Sequence, residues 1–136
     1  MNISGRTKLF PIIGDPVAGV VSPPAVNAWF QSNAIDACMM PLNIPASSIT
    51  GFWDMLRASN TFLGCSITYP HKQSAYAQVD TMTERATRLG ALNTVRRADD
   101  GSLCGDATDG TALLQAIGQA GARVNGACVH ITGAGG

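Results

Sequence analysis

The sequence predicts an α/β fold, a three-layer α/β/α arrangement around a mostly parallel sheet that contains one antiparallel strand. Three observations lead there. Short apolar runs bounded by Gly, Pro, Asn or Asp alternate with stretches whose apolar residues recur at helical spacing, the pattern of βαβ units. Asp99-Asp100-Gly101-Ser102 sits between two strand-like runs as a hairpin turn, so one pair must be antiparallel. The composition, 46% hydrophobic and 13% charged over 136 residues, can fill one core and is too apolar for disorder.

The elements follow in order. Lys8-Leu9-Phe10-Pro11-Ile12-Ile13-Gly14 is a buried first strand closed by Gly14-Asp15-Pro16. Ser22-Pro23-Pro24 starts a helix, with Ser22 as N-cap and Pro at the first helical position. Val26, Trp29 and Phe30 form its apolar stripe, and it ends near Ser32-Asn33. Cys38 to Ile44 is the second strand, and Pro41 places it at a sheet edge because Pro cannot donate to an interior ladder. Ser47 or Ser48 caps the next helix, whose apolar face is Ile49, Phe52, Trp53 and Leu56. The third strand, Phe62 to Ile67, turns directly into Thr68-Tyr69-Pro70-His71-Lys72, read as the start of a helix reaching about Val79.

Asp80 or Thr81 starts a further helix, Met82 to Leu89, broken by Gly90. Ala91-Leu92-Asn93-Thr94-Val95-Arg96-Arg97 enters a strand, and Leu103-Cys104-Gly105 is its return strand. Asp106-Ala107-Thr108-Asp109-Gly110 is a polar turn before a helix that carries Leu113, Leu114 and Ile117 and ends at Gly118 to Gly121. Val129-His130-Ile131-Thr132 reads as one more strand, running into the glycine turn Gly133-Ala134-Gly135-Gly136. Residues 1–126 are thus expected to form one domain and 127–136 to open a second, as in a piece of a longer protein.

Bulk composition narrows the function. Lys+Arg and Asp+Glu are each 9, a net charge of zero, which argues against nucleic acid or an anionic membrane as partner. No apolar run is long enough to cross a bilayer. Cys38, Cys65, Cys104 and Cys128 form no C-x-x-C pair, and His71 and His130 complete no ligand spacing, so no metal site is expected. Reduced, mostly buried thiols point to a cytoplasmic protein.

Four places could carry chemistry. Lys72 lies just past a strand end, at the edge where open α/β sheets bind ligands. A cation in a first helical turn opposes the helix dipole, so its place there suggests use, although a solvated surface lysine is the plain alternative. Ser22 offers a hydroxyl beside a helix N-terminus, suited to a small carboxylate or serving only as a cap. Asp109 stands at another strand-to-helix turn, and Asn93-Thr94 opens a strand, each with a capping or turn role as its plain alternative. Together with Thr68 these groups make one cation, one carboxylate, one amide and two hydroxyls along one sheet edge. Such a set could hold a small polyhydroxylated acid and exchange a proton with one of its hydroxyls.

These stretches resemble the substrate-binding domain of the shikimate dehydrogenase family, over nearly the whole chain and in order. Gly14-Asp15-Pro16-Val17 with Ser22-Pro23 and Asn27 is similar to its opening motif, and Gly64 with Thr68, Pro70 and Lys72 to its lysine motif. Gly90-Ala91-Leu92-Asn93-Thr94 matches closely, and Gly105-Asp106 with Thr108-Asp109-Gly110 resembles the aspartate motif. The resemblance implies reversible hydride transfer between NADPH (NAD as an alternative) and 3-dehydroshikimate. It implies Lys72 and Asp109 as the catalytic pair, with Asp109 holding Lys72 in position. Thr68 and Asn93 would bind ring hydroxyls and Ser22 the carboxylate. Gly133, Gly135 and Gly136 would begin the cofactor-binding glycine loop of a C-terminal nucleotide-binding domain, without which the chain is expected to be inactive. The implied partner is a small cyclic hydroxy acid; the oligomeric state is open, a homodimer included.

Departures from the family pattern bear on specificity. Gly19-Val20 stands where the family has His-Ser, Val26 where it has His, and Ser66 and Ala107 where it has Asn. Losing the hydroxyl at Val20 removes a donor to a charged group, about 1.5–3 kcal/mol or roughly 10- to 150-fold in affinity. The expectation is a divergent relative, either slow on shikimate or preferring a related acid such as quinate or another cyclic hydroxy acid. The competing reading is a regulatory relative that binds a small acid without turning it over.

Overall fold

The computed structural model describes residues 2–132. A six-stranded sheet forms its middle layer. The strands are β1 (Lys8–Leu9), β2 (Ile12–Gly14), β3 (Ala37–Cys38), β4 (Pro41–Asn43), β5 (Gly64–Ile67), β6 (Thr81–Met82), β7 (Thr94–Arg97) and β8 (Leu103–Asp106). The order in the main sheet is β4-β2-β5-β7-β8-β6, and only β7 runs against its neighbours. The β1–β3 pair extends the parallel β2–β4 pairing. Pro11 interrupts the first strand, yet Phe10 N and Ile12 N still donate to Cys38 O and Met40 O at 2.9 Å each. Pro41 does lie on the edge strand β4.

The helices are α1 (Ser22–Ser32), α2 (Ile49–Ala58), α3 (Glu84–Leu89) and α4 (Asp109–Gln119). Successive residues of β2 point to opposite faces of the sheet. Ile13 joins the larger core with Phe52, Trp53 and Leu56 of α2, Ile67, Leu92, Val95 and Leu103. Ile12 joins a smaller core with Phe30 of α1, Ala37 and Met39. The apolar face read from the sequence therefore holds for α2, whereas in α1 Phe30 and Val26 pack inward and Trp29, expected in the same stripe, is exposed; the two faces give the three layers.

Local chemistry differs from the sequence reading at several helix starts. Ser22 is the first residue of α1, not its cap; Val21 precedes it and no side chain caps the helix. Ser48 makes no capping bond either, because a 3-10 turn over Ala46–Ser48 leads into α2. The chain after Thr68 forms turns and a 3-10 helix, Ser74–Gln78, instead of an α-helix, so the dipole argument for Lys72 does not apply. The Tyr69–Pro70 and Asp15–Pro16 bonds are both cis. Thr81–Met82 is strand β6, paired with β8, and the helix begins only at Glu84, where the Thr83 hydroxyl accepts from Ala86 N.

Leu113, Leu114 and Ile117 are exposed, and α4 buries no residue. Two of the four cysteines, Cys38 and Cys65, are buried, and burial pushes the Cys65 thiol up. Residues 127–132 carry no regular structure, so the strand expected at Val129–Thr132 is absent there. Gly133, Gly135 and Gly136 lie outside the described residues. No helix among the described residues is long and apolar enough to cross a membrane.

Gly64 fixes the β5–β7 contact. Its φ is +147°, and a Cβ there would run into the carbonyl oxygen of Val95 on the facing strand. Gly64→Ala is therefore expected to destabilise the protein by about 3 kcal/mol or more, from backbone strain plus a clash that backbone cannot relieve. Urea unfolding checks this; a loss under about 1 kcal/mol would mean that the strands can part there.

Candidate active site

β2, β5 and β8 all end at one edge of the sheet, and the antiparallel β7 begins there. The candidate residues leave from these ends. Thr68 follows β5, Asn93 precedes β7, Asp109 stands three residues past the end of β8, and Ser22 begins α1 after β2.

Lys72 Nζ meets Asp109 Oδ2 at 2.7 Å. The Lys72 side chain is 32% exposed and that of Asp109 64%, so the pair contributes only about 0–1 kcal/mol to stability. Its placement is nonetheless built. The Lys72 main-chain carbonyl accepts from Leu92 N at 2.8 Å, which ties the lysine turn to the segment before β7. Asn93 Nδ2 donates to Asp109 Oδ1 at 2.5 Å and to Thr108 Oγ1 at 3.0 Å, while Asn93 Oδ1 accepts from Thr108 N at 2.6 Å. The Asn93 amide is thus committed to the turn that carries Asp109. It would meet a substrate hydroxyl only by exchanging one of these bonds.

A cavity of about 320 Å³ opens beside the pair, lined by Lys72, Asn93, Asp109, Leu92, Ala107 and Gln73 among others. A second, of about 350 Å³, is lined by Ile12, Pro16, Gly19, Val20, Val21, Ser22 and Thr68. The structure therefore brings Lys72, Asn93 and Asp109 into contact and places Ser22 with Thr68 around a separate hollow on the same edge. Ser22 Oγ is buried there without a hydrogen-bond partner among the described residues. Hydrogen bonds from Asn43 to Asp15 (2.9 Å) and from Val17 N to Asn43 (3.1 Å) fix the loop above that hollow. Asp15 N also donates to Tyr69 O at 3.0 Å, which joins the loops after β2 and β5.

The sequence reading assigned no role to the clamp behind Asp109. Arg85 of α3 holds Asp106 through Nε–Oδ1 at 2.6 Å and through Nη2–Oδ2. Thr83 Oγ1 donates to Asp106 at 2.6 Å and Ala107 N at 2.7 Å. A larger cavity of about 500 Å³, with Asp54, Arg57, Asp80 and Asp100, lies at the opposite edge. The Arg57–Asp80 ion pair at 2.6 Å accounts for part of its wall. No group of three or more potential metal ligands occurs among the described residues. Chemically, an ammonium has three protons to give, and Asp109 takes one, so Lys72 can still donate into the cavity that it lines.

A profile of the shikimate dehydrogenase substrate binding domain matches residues 12–95. The shikimate dehydrogenase (NADP(+)) of Rubrobacter xylanophilus is 39% identical over 134 residues, 98% of this chain and 47% of that protein. The chain thus spans about half the length of the curated relatives that it matches. A crystal structure of the Listeria monocytogenes shikimate 5-dehydrogenase with shikimate and NAD superposes with a TM-score of 0.85 at 28% identity, over 91% of this chain and 42% of that one. The ligand-free 5-ketofructose reductase of a Gluconobacter strain gives 0.79 at 25% identity, over 85% and 41%.

The Arg85 guanidinium, followed by the Thr83 hydroxyl and the Ala107 N–H, holds the Asp106 carboxyl well below the usual carboxylate range. A lowered carboxylate stabilises the folded state above its unfolded pKa of about 4, and that contribution is lost as pH falls through the folded value. Asp106→Asn is expected to lower stability at pH 7 and to flatten the decline between about pH 4 and pH 2, followed by urea unfolding at each pH. An unchanged slope would remove the clamp from the acid response.

Proposed function

The chain belongs to the shikimate dehydrogenase family as its substrate-binding domain, and from that premise we propose that it serves an NADP-dependent oxidoreductase. The reaction would be reversible reduction of a ring ketone, 3-dehydroshikimate to shikimate or a related cyclic hydroxy acid such as a quinate-type substrate. Lys72 and Asp109 are the residues assigned to catalysis, and Ser22, Thr68 and Asn93 those assigned to the substrate. The observation that carries this reading is the 2.7 Å Lys72–Asp109 contact at the mouth of a cavity.

When hydride reaches a carbonyl carbon, negative charge grows on the oxygen. The Lys72 ammonium is placed to stabilise that charge and to give the proton; in the reverse direction it takes the proton back. Asp109 aims the ammonium, and Asn93 aims Asp109. Asp109 is 64% exposed, so the open side of the pair leaves room for a hydride donor held outside these elements. NADPH would supply that hydride and leave as NADP, the nucleotide being held by Gly133, Gly135 and Gly136 at the start of a nucleotide-binding domain that opens at about residue 127. Thr68, at the end of β5, is a hydroxyl for the ring, and the unpartnered Ser22 hydroxyl is one for its far end.

A pure binding protein has no need of an aimed ammonium, which favours an enzyme over a regulatory relative. The similar 5-ketofructose reductase fold widens the substrates to weigh, because that protein's ketone belongs to a sugar.

The experiment is NADP-linked oxidation of shikimate and of quinate by the protein at its natural length, beside Lys72→Ala. The variant is expected to lose turnover by about a hundred- to ten-thousand-fold while binding ligand within roughly tenfold of the unaltered protein. Turnover preserved in Lys72→Ala would sink the assignment.

A further inference from the structure

The turn from Asp106 to Thr111 carries Asp109 and is held from two sides. On the β7 side Asn93 grips Thr108 and Asp109 through its side chain, and its N–H donates to Asp106 O at 3.0 Å. On the α3 side stands Arg85. Its Nε and Nη2 fork onto the two carboxylate oxygens of Asp106, three residues before Asp109. Its Nη1 reaches Thr111 Oγ1, two residues after Asp109, at a long 3.4 Å. One guanidinium thus touches both ends of the turn.

The fork also sets the orientation of Asp106. A planar guanidinium with two parallel N–H groups fixes the plane of the carboxylate that it binds. Thr83 Oγ1 donates to Asp106 Oδ1 at 2.6 Å and locates that oxygen a second time. The same Thr83 hydroxyl caps α3, so Arg85 leaves from a fixed helix start. Asp106 Oδ1 then accepts from Ala107 N at 2.7 Å, the first peptide of the turn. The line runs from Arg85 through Asp106 and Ala107 to Asp109, and from Asp109 to Lys72 Nζ at 2.7 Å. Arg85 is not among the residues that line the cavity beside the pair, so it acts through these groups and not on a ligand.

We propose that Arg85 is a positioning residue for the Lys72–Asp109 pair, and that its forked geometry, beyond its charge, keeps Asp109 where it aims the ammonium. The proposal rests on the carbonyl reduction described above and adds a residue to it. A lysine in this place keeps the charge and loses the fork. A displacement of about 1 Å at a reacting group costs up to about a hundredfold in rate.

The test compares the protein at its natural length with Arg85→Lys and with the neutral Arg85→Gln. Urea unfolding reports the fold, NADP-linked oxidation of shikimate and of quinate reports kcat and KM, and amide exchange followed by NMR reports the turn. In Arg85→Lys the urea midpoint is expected to stay in place, kcat to fall about ten- to a hundredfold and KM to stay within roughly twofold. The Ala107 and Thr108 amides are expected to exchange about tenfold faster, while that of Ile67 on β5 keeps its rate. Arg85→Gln is expected to show the same pattern. An unchanged kcat, a raised KM with kcat intact, or unchanged exchange at Thr108 overturns the proposal. Loss of the cooperative unfolding transition in both variants also overturns it, because the clamp would then serve the fold at large. Faster exchange at Ala107 and Thr108, with no turnover of either acid by the unaltered protein, keeps Arg85 as the holder of Asp109 and defeats the reductase reading.

Discussion

Where β5, β7 and β8 come together, Asn93 makes main-chain bonds in both directions and commits its amide to the next turn. Its carbonyl accepts from Ile67 N on one side, and its N–H donates to Asp106 O on the other. Its side chain then fixes Thr108 and Asp109. One residue thus carries the position of three strands onto one carboxylate. The ion pair beyond it is half-open to water and worth little by itself, so its geometry comes from this support and from the Leu92–Lys72 main-chain bond.

Two aspartates three residues apart show how environment divides labour. Asp106 is held by a forked guanidinium, a hydroxyl and an amide, three of these four bonds on Oδ1. Asp109 has one partner amide and one ammonium and faces a cavity. The first anchors the β8–α4 turn and the second uses the anchorage. The division extends across the sheet edge. The β8 side carries charge, whereas the α1 side carries valines, prolines and hydroxyls.

Much of this was legible in the chain. The alternation of apolar runs and helical stripes led to three layers, and the Asp-Asp-Gly-Ser turn to the one antiparallel strand, because both signals follow from periodicity and turn chemistry. Short elements escaped. Thr81–Met82 is a two-residue strand stabilised by pairing with β8, and no local pattern announces pairing at a distance. The stretch after Pro70 is tied to Leu92 and Ile44 and does not become an α-helix; buried His71 donates from Nε2 to Ile44 O at 2.7 Å. Motif order singles out Lys72, Asn93 and Asp109, which the fold brings together, but it does not show the groups that hold them. Arg85 lies 21 positions from Asp106, and only the fold makes them neighbours. The sequence shows the Asn93 amide without the bonds to Thr108 and Asp109 that it makes.

The reversed direction of β7 has a consequence for how the chain can change in length. Because β7 starts at the edge where its neighbours end, Thr94 faces Asp106, and the path from Asn93 to Thr108 leaves the site and returns to it through one hairpin. Residues added at the far tip, around Ala98 to Ser102, lengthen the loop and leave that pairing alone. A single residue added inside either strand shifts the ladder by one step and turns the amide of Asn93 away from Thr108. Insertions and deletions in descendants of this chain should therefore collect at the tip, and the fourteen positions between Asn93 and Thr108 should vary in number only there.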